Sequence, residues 1–218
     1  MTELVIRTIA MTLAGAICGA VTSLWIRNLQ QERGFEYSLS SAKEHLLSIV
    51  TAAAGACLGI TARGLIVPLC GLILICICGA VSVIDWTYRV IPNQTVIAVL
   101  LLKLIMFAAS AAGLSETSGT SLGTSLIGFA VCFAVFMIPC LFGKKIGAGD
   151  VKLAAAMGFL LGFENALFGV TVMGVLILVY SLVQRRMPVL MFLKKNIPMG
   201  PFIAAGMFLA FVGSNYYI

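Results

Sequence analysis

Only two aspartates occur in this chain, Asp85 and Asp150, and each lies where a long apolar run meets a short polar stretch. The first opens Asp85-Trp86-Thr87-Tyr88-Arg89-Val90-Ile91-Pro92-Asn93, and the second sits in Gly147-Ala148-Gly149-Asp150-Val151-Lys152. A carboxylate beside hydrocarbon is costly, so one retained there is a candidate functional group. Two such groups held close cannot both ionise readily and share a proton. One can then take a proton from water while the other polarises a carbonyl and protonates a leaving group, which is the acid–base chemistry of aspartic proteolysis. That chemistry needs no metal and no cofactor.

The settings of the two aspartates differ. Gly147 and Gly149 let backbone approach without a Cβ in the way. Asp150 then falls at the N-cap or first turn of a helix running to Leu161, with Ala154, Ala155, Ala156 and Gly158 as a small-residue face. Orphan amides and the helix dipole favour a carboxylate anion there, which assigns Asp150 as the base. Asp85 ends a helix, where the dipole opposes the anion, and is assigned as the acid. Pro92 breaks the chain and Asn93 is placed as N-cap of the next helix. The plainer alternatives are an ordinary helix cap at Asp150 and a membrane boundary at Asp85, with Trp86 and Tyr88 as interfacial anchors.

The elements that must position these groups follow from composition. Of 218 residues, 61% are hydrophobic and 10% charged, and the mean hydropathy is +1.11, far from the quarter-charged average of soluble domains. The long unbroken runs exclude the period-2 pattern of a membrane β-barrel. The expected fold is all-α, a polytopic transmembrane helical bundle forming a single domain over 1–218. Windows of about 20 residues place spans near 5–26, 46–62, 65–84, 94–113, 122–142, 151–163, 165–183 and 199–217. That is about eight, within a range of six to eight. The sixth is short enough to cross part of the bilayer or to run into the seventh. The first run is read as a retained helix, since no convincing cleavage site follows it.

Charge sets the orientation. With the N-terminus outside, inner segments carry Arg27, Arg33, Lys43, Arg89, Lys144, Lys145, Lys152, Arg185, Arg186, Lys194 and Lys195. Outer segments carry Arg7 and Arg63, and the outer loop 113–121 holds Glu116 and no basic residue. This asymmetry puts the cationic loops in the cytoplasm and both aspartates on that same face of the cell membrane. It also explains the net charge of +6 without nucleic acid, because the basic residues are scattered singly or in pairs between spans. Lys103 falls within a span and is read as facing the bundle interior or snorkelling. The seven cysteines lie inside apolar runs without a CxxC pair, so they read as packing residues, not as zinc ligands or disulfides.

Taken together, a juxtamembrane Asp followed by Pro92-Asn93, a GxGDxK segment about 65 residues on, and Ile197-Pro198-Met199-Gly200-Pro201-Phe202 before the last span resemble the prepilin peptidases, with the last segment matching their PxGP element. These are polytopic aspartic proteases of bacteria and archaea, and the resemblance runs from about residue 65 to the end. It implies Asp85 and Asp150 as the catalytic pair, Lys152 as electrostatic support for Asp150, and Gly147, Gly149, Pro92 and Asn93 as residues that shape the site. It implies pre-pilins or pilin-like pseudopilins of type IV pilus and secretion systems as substrates, cut at the cytoplasmic face after a glycine, between a short basic leader and an apolar helix. Longer members carry a cysteine-paired N-methyltransferase domain after the first span. Here residues 27–45 form only a short cytoplasmic loop, so no methylation is expected. The competing readings are a presenilin-like intramembrane protease, which shares GxGD, and a proton-coupled transporter using the carboxylates as a relay. Pro92-Asn93 argues against the first; the lack of pseudo-symmetric halves argues against the second. Neither the particular substrate nor the oligomeric state is legible.

Overall fold

The computed structural model describes residues 2–36, 39–61, 64, 66–114, 120–141, 147–183 and 198–214, with 139–141 described by backbone alone. Among these the chain is all helical: α1 (Thr2–Glu32), α2 (Ser41–Thr61), α3 (Ile66–Tyr88), α4 (Asn93–Ala111), α5 (Leu122–Leu141), α6 (Ala148–Val183) and α7 (Gly200–Ser214). Helices α1, α2, α3, α4 and α6 are long and apolar enough to cross a membrane, and shorter apolar helices occupy Leu122–Ile138 and Gly200–Ser214. The protein is a helical membrane bundle. Several expected basic and acidic loop residues, Arg63, Glu116, Lys144, Lys145, Arg185, Arg186, Lys194 and Lys195, lie outside the described residues.

Two glycine pairs set the first packing unit. Gly15 and Gly19 on α1 face Gly55 and Gly59 on α2, each pair with three residues between its members. A Cβ on Gly15 would fall 2.4 Å from the Thr51 carbonyl oxygen, and one on Gly55 would fall 2.2 Å from that of Met11. The small residues therefore let the two antiparallel backbones touch, which is how helices associate where water supplies no hydrophobic drive. Both helices run further than their expected spans, and with α1 ending at Glu32 and α2 beginning at Ser41, the polar connection is shorter than 27–45. That connection folds onto the end of α3. Phe35 stacks on Tyr88 with ring centroids 4.4 Å apart, and the Tyr88 hydroxyl donates to the Glu36 carbonyl.

Helix α3 is the most buried of the spans and packs on α1, α2, α4 and α7. On its far side, α4 and α7 connect it to α6, which packs against α5. The shared core includes Leu74, Ile77 and Val81 of α3, Leu153, Met157 and Leu161 of α6, and Ile203 and Met207 of α7. Cysteines here serve as small packing groups whose thiols donate to helix carbonyls, Cys76 to Cys18 and Cys78 to Ala204.

Helix α6 is broken at Gly162, with φ 76° and ψ 172°, a backbone region open essentially to glycine alone. The chain turns back there. Met157 and Gly169, about 18 Å apart along a straight helix, are in contact: a Cβ on Gly169 would fall 2.2 Å from Met157 Cε. The two arms, 148–161 and 163–183, correspond to the expected short sixth run and its successor at 165–183. Reversal frees carbonyls at the end of the first arm, and in a bilayer such groups must be satisfied by protein. Lys103 does this. It is buried, at 2% exposure, its Nζ donates to the Leu160 carbonyl at 2.9 Å and to the Thr120 hydroxyl, and it lies 4.7 Å from the centre of the Phe107 ring. It faces the bundle interior and does not snorkel. Replacing Lys103 by Met is expected to cost about 1–3 kcal/mol by leaving the Leu160 carbonyl unpaired, measured as a lower unfolding midpoint in detergent.

Candidate active site

Asp85 lies in the last turn of α3 and Asp150 in the first turn of α6. The three segments of the sequence pattern meet at one end of the bundle. The Gly147–Asp150 segment packs onto the stretch that follows Asp85, since a Cβ on Gly149 would fall 3.0 Å from Ile91 Cβ and 3.6 Å from its backbone nitrogen. Gly200, first residue of α7, packs onto Asp85 itself, and its N–H donates to Asp85 Oδ2 at 2.8 Å. The charge on Asp85 acts directly on Asp150.

Each carboxylate is held by a glycine amide. Asp150 is the third residue of its helix and reaches back to hydrogen-bond the backbone of Gly147, the geometry by which an acidic third residue satisfies an orphan amide at a helix start. A Cβ on Gly147 would lie 2.9 Å from Asp150 Oδ2, so a larger residue would press on the carboxylate. At Asp85 the donor comes from a different helix. A Cβ on Gly200 would lie 2.8 Å from Asp85 Cβ and 2.9 Å from Oδ2. Asp85 is buried, at 4% exposure, whereas Asp150 is half-buried.

Asp150 lies at a helix start and Asp85 at a helix end, as the acid and base assignment expected. What the assignment did not include is the start of α7 beside Asp85. Each carboxylate therefore meets an N-terminal amide of a helix, Asp150 on its own and Asp85 on α7. The sequence did not single out Gly200 as a site residue, although its place in Pro198-Met199-Gly200-Pro201 marks it.

The remaining residues fall around this pair. Pro92 is buried and caps α4 with extended backbone, φ −64° and ψ 138°, while its carbonyl accepts the Thr95 hydroxyl at 2.7 Å. Asn93 is therefore the first helical residue and not the N-cap, because the cap position is taken by the proline before it. Its side chain points elsewhere: Asn93 Oδ1 accepts a hydrogen bond from Lys152 Nζ at 3.4 Å. Lys152 is exposed and thus bridges the two aspartate-bearing segments at the rim. Arg89 ends α3 with positive φ, 57°, its N–H donating to the Asp85 carbonyl at 3.0 Å, and its charge reaches the Asp85 carboxylate. Trp86 meets Tyr180 edge-on at 6.2 Å, and Tyr180 lies 5.4 Å from Phe202. These contacts return the second arm of α6 to the carboxylate end. Among the described residues, no three His, Cys, Asp or Glu side chains converge as a metal cluster.

A search of curated proteins and of solved structures finds no match. The profile of the type IV leader peptidase family, however, matches residues 72–182, which takes in both aspartates, Pro92, Asn93, Gly147, Gly149 and Lys152. A protease family leaves no place for the transporter reading. With a match spanning half its length, from mid-α3 to the end of α6, this helical membrane protein belongs to the type IV leader peptidase family.

Proposed function

We propose that the protein is an aspartic endopeptidase that removes the basic leader from pre-pilins or pseudopilins, with Asp85 and Asp150 as its catalytic pair. The observation that carries the reading is the convergence of two carboxylates from separate helices, each oriented by a glycine amide. In this mechanism the pair shares one proton. The ionised member takes a proton from water as that water attacks the scissile carbonyl. The protonated member donates to the carbonyl oxygen. The other then passes the proton it took from water to the leaving amine, and the first recovers a proton from a hydroxyl of the collapsing tetrahedral intermediate. Because each carboxylate is met by an amide at the start of a helix, the proton is assigned to the pair and not to a fixed residue. Lys152 and Asn93 tie the two segments together, and Gly147, Gly149 and Pro92 set the close backbone approach. The work is done at the cytoplasmic face of the cell membrane: Arg27, Arg33, Arg89 and Lys152 lie in or beside the segments at the carboxylate end, as the positive-inside rule requires. The eight-pass topology follows if both arms of α6 count as passes. Without a loop domain between α1 and α2, the product keeps an unmethylated N-terminus.

The test is incubation of the detergent-solubilised protein with a full-length prepilin. Cleavage between leader and apolar helix is expected, and mass spectrometry of the product should find a free amino terminus. No cleavage of any leader-bearing pilin or pseudopilin would defeat the reading, and a methylated terminus would defeat the loop argument.

A further inference from the structure

Beside the carboxylates, a cavity of about 370 Å³ opens between the first turns of α2, the last turns of α3 and the start of α7. Its α2 wall is one helix face, carrying Lys43, Leu46 and Val50 at intervals of three and four residues. Val83 and Trp86 of α3 form the opposite wall, and Pro201 closes the end. An apolar groove lined by helix faces of this kind can accept the apolar face of a third helix. We propose that this groove seats the apolar helical segment following the scissile bond of the substrate; the proposal rests on the peptidase reading and extends it to substrate positioning.

Three observations choose this occupant. The groove lies at the same end of the bundle as the candidate chemistry, because its wall residues Trp86 and Pro201 adjoin in the chain Asp85 and the glycine whose amide holds it. A chain leaving the groove past Pro201 is thereby carried toward the contact between Gly200 and Asp85. The lining is predominantly apolar, and Leu46 and Val50 are 61% and 57% exposed, so an incoming helix would cover large side chains that the bundle leaves bare. The one charged lining residue is Lys43, which repels a basic leader and leaves the apolar segment on the other side of the cut as the part that fits. A lipid acyl chain is the competing occupant, and the experiment separates the two.

The full-length protein, in lipid nanodiscs, is assayed with a prepilin. Leu46→Trp and Val50→Trp fill the groove, whereas Ile49→Trp places the same ring at a 65% exposed position of α2 outside the lining. The groove variants are expected to raise KM about tenfold with kcat within about twofold of wild type, because they remove substrate binding without touching the carboxylates. Ile49→Trp should match wild type. A benzophenone side chain in place of Leu46 should cross-link to substrate residues just after the cleavage site. Wild-type cleavage with unchanged KM in both groove variants would overturn the groove while leaving the peptidase intact, as would cross-links to lipid alone. Failure of wild type to cleave would remove both.

Discussion

Asp85→Asn and Asp150→Asn are each expected to lower kcat/KM for leader removal by about 10⁴-fold, the upper end of what a positioned acid or base supplies. The substitution removes one ionisable group and changes almost no volume. An amide oxygen can still accept the N–H of Gly200 at position 85, and the backbone bond at Gly147 for position 150, so the bundle should persist with its unfolding midpoint little changed. Loss of activity without loss of fold is the signature of chemistry. The double variant should be no worse than either single one, because two groups that share a proton act as a unit and their losses do not add. Additive losses would mean separate roles, and more than a tenth of wild-type activity in either variant would exclude that residue from the reaction. Wild type should show a bell-shaped dependence of kcat/KM on pH, one limb for each macroscopic ionisation of the pair.

The second large effect is expected away from any ionisable group. Gly200→Ala adds one methyl carbon 2.8 Å from Asp85 Cβ, a separation real Cβ atoms essentially never show, and 3.0 Å from Cγ. The clash is with the root of the aspartate, so rotating its side chain does not relieve it. Either α7 shifts or Asp85 moves away from the Gly200 amide. Displacements near 1 Å in a catalytic constellation cost about 10²-fold, and the loss should fall on kcat. Gly147→Ala provides the comparison. Its new methyl meets only the tip of Asp150, Oδ2 at 2.9 Å, which can rotate aside. A smaller loss at Gly147 than at Gly200 is expected, and the reverse order, measured in steady-state kinetics, would contradict the placement of α7 against Asp85.

These two positions also mark how far the sequence could be read. Asp85 and Asp150 were legible because they are the only aspartates in the chain and because apolar runs leave few places for charge. The helical membrane class was legible from hydropathy alone, and the short run near 151–163 was a trace of the break at Gly162. The contact between Gly200 and Asp85 was not legible, because 115 residues separate the partners and a backbone amide has no local signature of its target. The same holds for Asn93. Placing it as an N-cap was reasonable from its type, but the proline before it occupies the cap, and the side chain is drawn to Lys152 instead. Lys103 was read as facing inward or snorkelling, yet its partner, the Leu160 carbonyl, exists only because a helix ends there. The paired glycines of α1 and α2 did carry a readable spacing, three residues between small positions on each helix.

The reversal at Gly162 bears on the membrane as much as on the protein. The first arm of α6 rises about 21 Å over residues 148–161, while the hydrocarbon layer is about 30 Å deep. With the start of the arm at one boundary, the turn therefore lies about 9 Å short of the other. Residues 151–162 of that arm are buried almost throughout, so the turn ends inside the bundle, where neighbouring helices and not lipid must meet its free backbone groups. The spanning length there is carried by the neighbouring helices, so activity should change little with acyl chain length.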